Sequence, residues 1–135
     1  MFYIESQGPW NGSCSLKHLK PGGFMGHPIC FDGYDLPLGK MLGPKPLAPK
    51  NQSRLYDEAK RIEQLVPYAV VFPYRRMGQS ITAFRPDRSE GRFGPFQNQR
   101  FVGDYSLSIV RCATTEEGAG VGQGACYPFK EGIGN

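Results

Sequence analysis

Apolar positions recur along this chain with two different periods. Leu55, Ala59, Ile62 and Val66 fall at i, i+4, i+7 and i+11, one face of an α-helix, and predict a helix over 52–66. Asn51 or Ser53 is placed to cap its start, and Asp57 and Glu58 lie near the positive end of its dipole. Asp57 and Arg61 form an i, i+4 pair, and Pro67 is expected to stop the helix. Elsewhere the period is two. Tyr105, Leu107 and Ile109 alternate with Ser106, Ser108 and Val110, which predicts a half-buried strand over 105–112. The β-branched and aromatic run 68–74 and the run 80–85 flank a turn containing Gly78, so 68–85 reads as a hairpin. Pro73 makes its first strand an edge strand or ends it early. Residues 1–4 read as a short strand, and Ile29-Cys30-Phe31 as another that ends at the Asp32-Gly33 turn.

The remaining chain carries turn signals. Gly8-Pro9, Asn11-Gly12, Pro21-Gly22-Gly23, Asp32-Gly33 and Gly43-Pro44 punctuate 5–50, and Pro44, Pro46 and Pro49 favour an extended stretch. Residues 86–104 read as an Arg-rich arm, and 113–135 as a Gly-rich tail. The expected class is α+β: a small antiparallel sheet of three to four strands, built mainly from 68–74, 80–85 and 105–112, with one packed helix and long Gly/Pro-rich irregular arms. The expected organisation is a single domain over 1–135, with 1–50 mostly irregular, 51–113 forming the core and 114–135 a tail.

Composition agrees with a modest core. Gly and Pro number 18 and 12 among 135 residues. Val, Ile, Leu and Phe make up about a fifth of the chain, just above the level at which disorder is expected. Aromatic residues at 13% favour folding, because each buried ring removes a large apolar area from water. The net charge is +4. Seven arginines (75, 76, 85, 88, 92, 100 and 111) and no lysine lie within 67–113, against three acids, Asp87, Glu90 and Asp104. A guanidinium fork suits carboxylate, phosphate and aromatic faces. The competing interpretation is a solvated rim with local Asp pairs. No apolar run approaches the about 18 residues of a membrane span, and no signal peptide is visible, so an intracellular or assembly-associated protein is expected.

Candidate chemistry is sparse. Cys14, His18, His27 and Cys30 form a Cys-x3-His-x8-His-x2-Cys set that could converge on zinc, although this is not a finger or ribbon spacing. Ordinary thiols and imidazoles are therefore the preferred interpretation, and no cofactor is expected. Thiol catalysis has the residue types but no motif that places a thiol at a helix start, where it would be activated. The four cysteines are expected to be reduced; in an oxidising compartment 14–30 with 112–126 is one of three pairings. Gly120-x-Gly122-x-x-Ala125 lacks a following helix and fails as a dinucleotide site. Pro46-x-x-Pro49 reads as a stiff connector before a polyproline ligand.

Arginines interleaved with aromatics point to recognition. The leading expectation is a non-enzymatic structural or linking subunit of a larger assembly, binding neighbouring proteins through Trp10, Phe24, Arg88, Arg92, Phe93, Phe96 and Arg100. Nucleic-acid binding by the same surface is the alternative, with bases stacked on the rings. A zinc- or cysteine-dependent enzyme comes third.

Overall fold

The computed structural model describes residues 1–118 and 120–133. Its strands form two antiparallel sheets. The first has β1 (Phe2–Glu5), β2 (Cys14–His18) and β3 (Val70–Phe72), in that order. The second has β4 (Ile81–Pro86), β5 (Arg100–Asp104), β6 (Ile109–Gly118) and β7 (Val121–Glu131). One helix, α1 (Leu55–Arg61), and two 3-10 segments, Pro28–Asp35 and Gly39–Leu42, complete an α+β fold.

The two sheets enclose one core. β1 lies against β4 and β3 against β7. Ser6 Oγ donates to Ile81 O at 3.3 Å across the first seam, and Cys126 Sγ to Val71 O at 3.4 Å across the second. Cys14, Leu16, Val70 and Phe72 face inward from the first sheet and meet Ile81, Val102 and Ala113 of the second. The register explains who faces in: Cys14 opposes Phe72 and Leu16 opposes Val70, so period-2 alternation sends all four to one face. Asp104 closes one end of this core. Its Oδ2 accepts from the Gln79 and Ser80 amides at 2.5 and 2.7 Å, and its Oδ1 from the Leu107 amide at 2.9 Å.

A second apolar cluster joins Phe24, Phe31, Ile62 and Leu65, with Trp10, Tyr34, Leu55 and Ala59 against it. The helix packs here. A bridge between Phe24 and Leu65 ties this cluster together through Phe24 N–H to Gln64 O at 2.7 Å and Val66 N–H to Phe24 O at 2.9 Å.

Several expectations are corrected. The helix stops at Arg61, because Ile62 leaves helical geometry so that Leu65 can pair with Phe24; Pro67 is not its terminator. Neither Asn51 nor Ser53 caps it: Arg54 holds the N-cap without a side-chain bond, and Ser53 Oγ donates to Lys50 O instead. Arg61 pairs with the buried Glu58, not with Asp57. Residues 68–85 are not a hairpin. β3 pairs with β2 and β4 with β5, because Asp104 captures the Gln79 and Ser80 amides and draws the chain to the second sheet. Ile29–Phe31 is 3-10 helix, which follows from Pro28 opening the turn. Tyr105–Ser108 forms the turn between β5 and β6, so the predicted strand 105–112 begins only at Ile109.

The arms are the largest difference. The stretch 1–50 contributes β1 and β2 to the main core. Within 86–104, residues 100–104 are β5, and the segment before it folds back over the second sheet. There Phe93 and Phe96 pack on Phe101 and Phe129 at centroid distances of 5.3–6.4 Å, and Gln99 Oε1 accepts from the Cys112 thiol. The Gly-rich tail is mostly strand: Gly118 ends β6 and β7 runs from Val121 to Glu131, while residues 119, 134 and 135 of the expected tail lie outside the described residues. Glycine serves close strand approach here, since a Cβ at Gly124 would lie 1.9 Å from Thr114 O.

Phe72→Ala is expected to cost about 3–5 kcal/mol in urea unfolding, because it leaves a cavity between two sheets. Phe93→Ala, on a ring that is 56% exposed, should cost less than about 1.5 kcal/mol. Equal losses would show that the Phe93 cluster, not the inter-sheet space, is the main core.

Candidate ligand-binding cleft

β2 is the middle strand of its sheet, so both of its edges are paired, and Cys14 to Lys17 are buried on both of its faces. Cys14, Leu16 and His18 alternate onto the inner face. Ser15 and Lys17 therefore point outward, beside Glu5 and Tyr3 of β1, their register partners. The second apolar cluster stands over this outer face. Between the two lies a half-open cleft of about 670 Å³, lined by Tyr3, Glu5, His27, Cys30, Phe31 and Leu42 among others. That volume is within the usual range of small-ligand sites.

Beneath the cleft, Lys17 is only 2% exposed. An ammonium at that depth needs compensation. Lys17 Nζ donates to Glu5 Oε2 and to Met25 O at 2.6 Å, and stands 4.7 Å from the centroid of the Tyr68 ring. Burial still pulls its pKa down to about 8, with the Cys30 thiol opposing that shift. It remains mostly charged at neutral pH. His27 Nε2 lies 2.5 Å from Glu5 Oε1, off the line of a hydrogen bond. Burial, then repulsion from Lys17, lowers the His27 pKa, which favours the neutral imidazole at pH 7. Burial raises the Tyr3 pKa, as does the Cys30 charge. It also raises that of Tyr68, against an opposing hydrogen bond with Asn11.

Cys30 is exposed at the cleft, in the first turn of the 3-10 segment. Its amide donates to His27 O at 3.1 Å, a tight turn that holds the two residues together. The roof depends on close backbone packing: a Cβ at Gly39 would lie 2.0 Å from Gly33 O.

The candidate zinc set is divided by the same alternation. Cys14 is in the inter-sheet core and His18 stacks on Phe2 at 4.6 Å, whereas His27 and Cys30 line the cleft on the other face of the sheet. Among the described residues no three His, Cys, Asp or Glu side chains converge as a metal site. All four cysteines are free thiols.

The proposed contact residues are also distributed. Phe24, 7% exposed, belongs to the second cluster, and the half-buried Trp10 packs against it. Arg88 and Arg92 are exposed. Arg100 is half-buried, its guanidinium 4.6 Å over the Phe2 ring and bonded to Thr115 Oγ1, and burial lowers its pKa. Phe93 and Phe96 belong to the four-ring cluster on the second sheet. Of the seven central arginines, only Arg111 has a carboxylate partner among the described residues, Glu131 at 3.1 Å. The local Asp pairs of the competing interpretation do not form among the described residues.

Sequence reasoning missed Tyr3, Glu5 and Lys17. The alternation of Cys14–His18 carried the signal, but the Gly/Pro punctuation around it obscured the strand. Comparison with protein-family models, curated proteins and solved structures gave no match.

Glu5→Gln is expected to cost about 3 kcal/mol, because it strands a buried ammonium. Lys17→Met combined with Glu5→Gln should cost less than the sum of the single changes by about 1 kcal/mol or more. Additive losses in a denaturant double-mutant cycle would show that the two residues are not coupled.

Proposed function

We propose that this chain is a non-enzymatic docking subunit of a larger assembly, and that it holds a neighbouring protein on the segment 29–47. The supporting observation is the exposed apolar side chains of that segment. Leu38 is 73% and Met41 81% exposed, and Ile29, Leu36, Leu42 and Leu47 are each more than half exposed. Each such side chain gains about 1.5–3 kcal/mol when fully buried, so a partner has ample driving force. Lone apolar residues on a surface need no explanation, but six within nineteen positions exceed that. Pro44, Pro46 and Pro49 restrict the backbone here, which reduces the entropy lost on docking.

Charge supports a protein partner with an acidic rim. Arg75, Arg76, Arg85, Arg88, Arg92 and Arg100 have no carboxylate partner among the described residues. Such charges steer encounter and fix orientation more than they add affinity. A nucleic acid would also meet them, but base stacking needs free ring faces. Phe93, Phe96, Phe101 and Phe129 are tied edge-on or tilted to one another, which leaves fewer faces for bases. The described helix is too short to cross a membrane, and no other described helix is long and apolar enough to do so.

A photo-crosslinking residue at position 41, introduced in the native host, is expected to give a discrete protein adduct. The same residue at exposed Thr82 should not, and Leu38→Asp should remove the adduct at 41. Adducts at both positions, or none at 41, would contradict docking through 29–47. Binding to single-stranded nucleic acid that falls steeply between 50 and 200 mM salt, by the roughly thousandfold expected of several phosphate contacts, would favour the nucleic-acid alternative.

A further inference from the structure

His27 joins the floor of the cleft to its roof. Gly26 before it has φ +88°, and Pro28 after it opens the 3-10 segment that carries Phe31 into the second apolar cluster. The His27 carbonyl accepts the first hydrogen bond of that segment, from Cys30 N–H at 3.1 Å. The ring is held by the floor. Its Nε2 is buried without a hydrogen-bond partner, 2.5 Å from Glu5 Oε1. A Cβ at Gly8 would lie 2.9 Å from the same nitrogen, so the turn after β1 presses on the ring. The buried Lys17 ammonium already engages the other oxygen of Glu5. One carboxylate thus stands between two basic groups, in a small polar pocket that Ser15 and Tyr68 also line.

We infer that His27 is a proton-operated latch: uptake of one proton by its imidazole, below neutral pH, releases the roof cluster of Phe24 and Phe31 from the floor made by β1 and β2. The titratable and charged groups around the ring are Tyr3 and Glu5 of β1, Lys17 of β2, Tyr68 ahead of β3 and Cys30 of the 3-10 segment. Burial holds both tyrosines neutral, and Lys17, with its pKa of about 8, keeps its charge throughout the acid range. A second cation would therefore share one carboxylate with Lys17 at a site largely withdrawn from water. With the roof shut, burial and then Lys17 lower the His27 pKa; with the roof open, the imidazole returns to its ordinary value of about 6.5. Protons thus bind the open state better. The shut state keeps its full stability above about pH 6.5 and loses it as pH falls through that value toward the lowered one, by at most about tenfold in the open-to-shut ratio per pH unit. The latch does not depend on what docks on 29–47.

The test is hydrogen exchange of the full chain at pH 7.5 and 5.5, corrected for intrinsic rates, with an NMR titration of the two histidine rings. Amides of 24–36 are expected to exchange about threefold to tenfold faster at pH 5.5, while those of β5 and β6 stay unchanged. The His27 ring should titrate below about 6.5. His27→Gln, which cannot take up the proton, should lose the acid effect. Lys17→Met frees Glu5 to hold the His27 proton, so it should reduce or reverse the effect and raise the His27 titration. A His27 titration at or above about 6.5 in the unaltered chain would overturn the latch. So would an acid effect retained in His27→Gln, or one that extends equally to β5 and β6.

Discussion

An ammonium group withdrawn from water must recover several kcal/mol from its new surroundings, or the chain will not bury it. Lys17 is withdrawn almost completely because the outer face of β2 is covered by Met25 and Tyr68 and by the second apolar cluster beyond them. That single constraint organises its neighbourhood. Glu5 must come from β1 at a register that meets the ammonium. Met25 must turn its carbonyl inward, and the Tyr68 ring must stand beside the charge. Meeting these demands connects β1, β2, the turn before the 3-10 segment and the approach to β3, segments far apart in the chain. The same groups line or underlie the cleft, so the site and the stability of the first sheet share their polar atoms.

The second sheet solves a different problem. Its outer face would leave Phe101 and Phe129 in water and Cys112 uncovered. The segment before β5 folds back and supplies Phe93, Phe96 and Gln99 as cover. The ring geometry is edge-on or tilted, as the quadrupoles of aromatic pairs prefer. Cover is incomplete, since Phe93 remains more than half exposed. These aromatic side chains thus cover a sheet of their own protomer. The groups left over are aliphatic side chains of 29–47 and guanidinium groups without carboxylates. They carry the docking interpretation, and the same segment lines the cleft through Phe31, Leu42, Pro44 and Pro46.

Much of the architecture was written in local patterns. The α+β class, a helix near 55–61, a strand near 1–4 and strands within 68–74 and 80–85 all follow from periodicity and turn residues, which act over a few positions. Exposed Arg88 and Arg92 also agree with their sequence context. Pairing was not legible. Asp104 decides that β4 joins β5, and the Phe24–Leu65 bridge decides where the helix ends; both are contacts between segments more than twenty residues apart. The glycine-rich tail misled for a physical reason, because glycine signals flexibility in isolation but permits close strand contact when a partner such as Thr114 is present.

The sequence by itself determined which residue types were on hand and how they repeat: alternating positions in 14–18, a helical face from Leu55, a thiol three positions after a histidine. Only the tertiary structure decided their company. It set Cys14 and His18 on one face of β2 and Lys17 on the other, and so separated the four residues of the zinc set. It brought Glu5, His27 and Cys30 to a single cleft. The reason is that alternation fixes relative facing within a strand, whereas the absolute direction of each face depends on which sheet and which cover it meets, and those come from distant parts of the chain.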